Sequence, residues 1–139
     1  MRELSAQVEV DVPFHDVDVM EMAWHGHYVK YLELARCALL RTLDYDYPDM
    51  RDSGYMWPIV KCSLKYVQPA RYGQKLMVTA TLKEWENRLR IDYRIRDAAT
   101  GAKVTEGSTV QVAVDMKSGE LQFVSPPALL DRLERAWSN

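Results

Sequence analysis

Two carboxylates, Asp16 and Asp18, and two imidazoles, His25 and His27, fall just ahead of a strongly patterned helical stretch that runs on through Tyr28, Tyr31, Leu32, Glu33 and Arg36. A helix start presents backbone N–H groups without intrahelical acceptors and the positive end of the helix dipole. An acid or base beside it can attack a carbonyl carbon, or activate water to do so, while the amides hold the charge that develops on the oxygen. Residue type alone leaves Asp18 open between that role and a loop aspartate that caps the helix. Asp16, two residues away, reads as structural, bonding loop amides. His25 fits either a group that orients water or a surface hydrogen-bonding residue. Gly26 fits a point where a ligand approaches the backbone closely, or a simple turn.

These residues must be positioned by the elements around them. Residues 6–14 alternate, with Val8, Val10, Val12 and Phe14 on one face, as in a half-buried strand. Residues 15–24 have no period and read as a loop. From Gly26 to about Leu43 the spacing turns helical, through Tyr28, Leu32, Ala35, Leu39 and Leu43. Residues 44–54 are polar and broken by Pro48, hence a second loop. Strand patterns follow at 56–67, 74–85, 88–96 and 102–114, with Glu86-Asn87 as a hairpin turn. Residues 126–137 read as a short terminal helix. One long helix covering a sheet of consecutive antiparallel strands is an α+β architecture in a single domain, 1–139. The open sheet edges of such a fold call for a dimer.

The chain has 139 residues, 47% of them apolar, and a net charge of −2 from 18 basic and 20 acidic side chains, which excludes a general nucleic-acid binder. Cys37 and Cys62 lack partners at metal-ligand spacing and read as small buried residues of a reducing compartment. Neither a secretion signal nor an apolar run of the ~20 residues that a membrane helix needs is found, so a cytoplasmic location is expected.

The run Asp16-Val17-Asp18, Trp24-His25-Gly26-His27-Tyr28 and Glu33-Leu34-Ala35-Arg36, with the later Lys83-Glu84-Trp85, resembles the hotdog fold. Within it, the chain is similar to the 4-hydroxybenzoyl-CoA thioesterase and short acyl-CoA thioesterase branch. The resemblance implies about five antiparallel strands wrapped around one long central helix. It also implies hydrolysis of an acyl-CoA or acyl-carrier-protein thioester to a free acid and a thiol. Asp18 becomes nucleophile or general base, and the helix start near His25 and Gly26 polarises the carbonyl. No metal and no cofactor beyond the CoA or phosphopantetheine of the substrate is implied, and a homodimer or homotetramer is expected. The chain departs from the family where a small, glycine-containing segment is replaced by Val19-Met20-Glu21-Met22-Ala23, where Asn is replaced by His27, and where only Arg88 remains of a basic cluster.

Candidate substrate-binding residues are Tyr28, Trp57, Ser63, Arg88 and Arg90. By spacing alone Tyr28, Tyr31 and Leu32 are core. Trp57, Trp85, Tyr66 and Met56 fit either a tunnel wall or plain packing. Arg88, Arg90, Arg94 and Arg96 form one basic strand face, either solvated or in contact with CoA phosphates or an acidic carrier protein. Glu33 and Arg36 fit a helix ion pair or, by the resemblance, a bond across a subunit interface. Three rivals remain at this level: a non-catalytic acyl-thioester binding module, a structural subunit of an acyl-processing complex, and a hotdog dehydratase, whose His-Phe-Pro-Gly type segment is absent.

Overall fold

In the computed structural model, which describes residues 3–138, a five-stranded antiparallel sheet packs against one long helix. The strands are β1 (Ser5–Asp11), β3 (Ile59–Tyr66), β4 (Lys75–Glu84), β5 (Leu89–Asp97) and β6 (Lys103–Gln111), in spatial order β1-β4-β5-β6-β3. The helix α1 spans Tyr28–Thr42. A two-residue strand β2 (Tyr55–Met56) pairs with β7 (Val114–Asp115), and the chain continues through α3 (Pro127–Ser138). Met1, Arg2 and Asn139, the ends of the expected 1–139 domain, lie outside the described residues.

The core follows from period two on strands and 3.6 on the helix. Leu76, Val78, Ala80 and Leu82 of β4 and Leu89, Ile91, Tyr93 and Ile95 of β5 are buried, and α1 adds Tyr28, Tyr31, Leu32, Ala35, Leu39 and Leu40. Val78 pairs with Ile95 and Leu82 with Ile91 across the ladder. Gly107, mid-β6, lets the layers close. A Cβ there would lie 2.8 Å from the Ser63 carbonyl oxygen and 3.5 Å from Leu32 Cδ1 of α1. Helix α1 lies mainly over β1 and β4, so β3 at the opposite edge is left largely uncovered.

Four expectations change. The loop at 44–54 contains a helix, α2 (Tyr47–Asp52), started by an Asp46/Asp49 capping box with Pro48 in its first turn. A proline there needs no N–H partner, so it begins the helix instead of breaking it. The strand expected over 56–67 is interrupted at Trp57-Pro58, and that over 102–114 ends at Gln111 before β7. Cys62 is exposed, because it lies on the uncovered edge strand.

Candidate active site

Residues 17–23 form a small hairpin, not a featureless loop. Val17 bridges Ala23, the Asp18 N–H donates to the Met22 carbonyl at 2.9 Å, and the Glu21 N–H donates to the Asp18 carbonyl at 3.0 Å. The hairpin is clamped to the β3–β4 connection. The Ala23 N–H donates to the Ala70 carbonyl, the Tyr72 N–H to that of Glu21, and the Ala70 N–H to the Tyr28 hydroxyl. Its tip holds Glu21 at φ 61°, where a β-carbon is disfavoured.

Inside this hairpin Asp18 Oδ1 accepts the N–H of Met20 at 2.8 Å and of Met22 at 3.3 Å. Asp18 therefore does not cap the helix; it bonds the loop amides, the role expected of Asp16. Asp16 is buried instead, 1% exposed, and ties the loop to α1. Its two oxygens accept Lys30 Nζ at 2.6 Å and the Tyr31 hydroxyl at 2.7 Å. Burial pushes the Asp16 carboxyl up, but those two hydrogen bonds and the charges of Lys30 and His27 outweigh it and leave it below its ordinary value.

The expected helix start at Gly26 resolves into a 3-10 turn at His25–His27 running into α1. Neither Trp24 before the turn nor His27 before α1 supplies a side-chain cap. The Trp24 N–H is given to the Asp16 carbonyl and the His27 N–H to that of Trp24. The amides of His25 and Gly26, first in the turn, are those that helix geometry leaves over.

A cleft of about 360 Å³ lies against this turn, lined by Asp18, Met22, Trp24, His25, Tyr28 and Tyr66 among others. Tyr66, the last residue of β3, closes one side. Its hydroxyl donates to the His25 carbonyl at 3.0 Å, and its ring meets Tyr28 edge-on at 5.1 Å. Tyr28 is both core and cleft wall: its ring is buried and its hydroxyl is taken by Ala70. Gly26 is not on the wall. The Trp24 indole covers it, at 2.1 Å from where a Cβ would stand.

The other expected site residues lie elsewhere. Trp57 is in the core, 5% exposed, with its indole N–H on the Tyr45 hydroxyl, because the break at Pro58 turns it inward. Trp85 packs on Trp137 of α3, and Met56 lies on β2. Ser63 and Arg90 face the outer side of the sheet, away from α1, in a concavity that also holds Lys65, Arg94 and Arg96. The basic face is interrupted there: Arg90 pairs with Asp92 at 3.2 Å, and Arg88 lies in the turn, paired with Glu84 at 2.6 Å. Arg36 of α1 is 1% exposed, stands 3.8 Å from Glu33 as the helix-pair reading expects, and donates to the Tyr47 hydroxyl within its own chain. Tyr66 carries the only signal that sequence reasoning offered for the cleft's far wall: an aromatic on a strand.

Residues 12–133 match the thioesterase-like superfamily, and the chain belongs to it. The architecture is the hotdog fold expected, and the class is that of a thioesterase. The "Putative esterase sll0410" of Synechocystis sp. is 30% identical over 128 residues, 91% of this chain and 77% of that protein. The "Putative acyl-CoA thioesterase YneP" of Bacillus subtilis is 26% identical over 111 residues, 79% of this chain and 80% of that one. A 1,4-dihydroxy-2-naphthoyl-CoA thioesterase structure from Synechocystis superposes with a TM-score of 0.83 at 18% identity, covering 97% of this chain and 96% of the other.

Proposed function

We propose that this protein hydrolyses acyl thioesters of coenzyme A, with Asp18 as the reacting carboxylate. The observation that carries this is the pinning of Asp18 Oδ1 by two loop amides on the wall of the cleft that the His25 turn also lines. One oxygen fixes the orientation, and the other is left for the substrate. Either it attacks the thioester carbon, giving an anhydride and expelling the CoA thiolate, with water then cleaving the anhydride, or it takes a proton from an attacking water. The His25 amide, first in the turn and on the cleft wall, holds the oxyanion; one such donor is worth ~3 kcal/mol in the transition state.

Coenzyme A is favoured over a carrier protein because the Bacillus relative is named for acyl-CoA and the Synechocystis structure for an aryl-CoA. The assembly we propose is a dimer formed along β3. That strand has one unpaired edge over eight residues, and Val60 is 59% exposed on it, a combination that isolated proteins avoid.

Thiol release from a panel of short, long and aromatic acyl-CoAs tests the reading. A preferred substrate with kcat/KM of about 10⁴ M⁻¹s⁻¹ or more is expected. Asp18→Asn should lower turnover ~100-fold or more while the uncleaved thioester still binds. Undiminished turnover would remove Asp18 from the chemistry. Activity confined to acyl carrier protein would replace the carrier and leave the chemistry in place.

A further inference from the structure

The space above Gly26 is filled by the protein itself. A Cβ on Gly26 would lie 2.1, 2.6 and 2.7 Å from Cζ3, Cη2 and Cε3 of Trp24, all on the six-membered ring of the indole. The ring lies over the turn, 4.8 Å from the His25 imidazole and tilted to it, and 5.5 Å from that of His27, which it meets edge-on. It takes part in the cleft wall while Gly26 does not. Its backbone is fixed on both sides, by the N–H given to Asp16 and the carbonyl taken by His27, whereas the side chain is 53% exposed. A half-exposed side chain on a fixed backbone moves by rotation about its own χ angles, on a timescale far shorter than turnover.

We propose that the Trp24 indole is a swinging wall that sets which acyl groups this cleft accepts. Resting on Gly26, it leaves a shallow cleft suited to small acyl groups; turned out toward solvent, it uncovers the glycine face and its amide for larger ones. Gly26 serves as the flat bed that the ring needs. This inference rests on the thioesterase function proposed above and assigns selectivity within it.

Labelling the four tryptophans with 5-fluorotryptophan gives a direct readout, with the Trp24 fluorine signal assigned by its loss in Trp24→Phe. The uncleavable probes are the S-methyl and S-benzyl thioethers of CoA. The benzyl thioether should move the Trp24 signal further than the methyl one, and Gly26→Ala should displace it with no ligand present. In turnover, Trp24→Ala should raise the ratio of kcat/KM for benzoyl-CoA over acetyl-CoA about tenfold or more, with Trp24→Phe between it and wild type. A signal unmoved by a thioether that binds, or by Gly26→Ala, would overturn the swinging wall. So would an unchanged ratio in Trp24→Ala. If wild type cleaves no thioester of any carrier, the proposed function falls and takes this inference with it; an active wild type with an unchanged ratio sinks the inference alone.

Discussion

Asp16 and Asp18 stand two residues apart, yet one is sealed against α1 and the other faces a cleft. The difference lies in what each meets: Asp16 meets Lys30 and Tyr31 of the helix, and Asp18 meets the amides of its own hairpin. Asp16 is depressed below the ordinary carboxylate value of 3.8, so its stabilisation is complete above that value and is lost as pH falls through the depressed one. Asp16→Asn should therefore lower stability by about 1–3 kcal/mol at neutral pH, since the buried Tyr31 hydroxyl loses its charged acceptor. It should also flatten the fall in stability as pH drops below 3.8. Urea melts across that range read both effects; parallel curves for variant and wild type would show that Asp16 carries no such linkage. The sequence placed both carboxylates at the helix start but exchanged their tasks, because residue type and spacing place two carboxylates along the chain and do not say what each side chain meets. Trp24 over Gly26 was out of reach for the same reason: a side chain lying across its own backbone is a rotamer choice, with no trace in spacing.

At the scale of elements, β4, β5 and α1 were legible because each buries one face, and a one-sided burial writes its period into the sequence. The outer strand β3 is exposed on nearly every residue, so its alternation carried little, and Trp57 was assigned to it when the chain had already turned at Pro58. Helix α2 was hidden by Pro48, although the Asp46/Asp49 spacing was the signal that would have revealed it. The 17–23 hairpin has its own mark of adaptation in Glu21. A left-handed residue with a β-carbon costs about 1–2 kcal/mol, and glycine costs about 0.5–1 kcal/mol in lost chain freedom. The exposed Glu21→Gly variant should thus be more stable by roughly 0.5–1 kcal/mol, seen as a higher urea midpoint with an unchanged slope. A lower midpoint would mean that the Glu21 side chain holds the hairpin in place.

The whole molecule is asymmetric: α1 guards one side of the sheet's inner face and leaves β3 bare. None of its described helices is long and apolar enough to cross a membrane. If β3 is the dimer edge, Val60→Lys should place a charge where two copies meet and shift the chain toward monomer in sedimentation at micromolar concentration. A dimer of undiminished strength would move the interface elsewhere. The same strand ends in Tyr66, whose hydroxyl grips the His25 carbonyl. The outermost ribbon of the sheet is thus also the tether of the turn that we propose receives the substrate's oxygen. Frayed ends loosen first in any unpaired strand. Companionship between two copies would then quieten that fraying, and diluted enzyme would lose specific activity before it lost its fold.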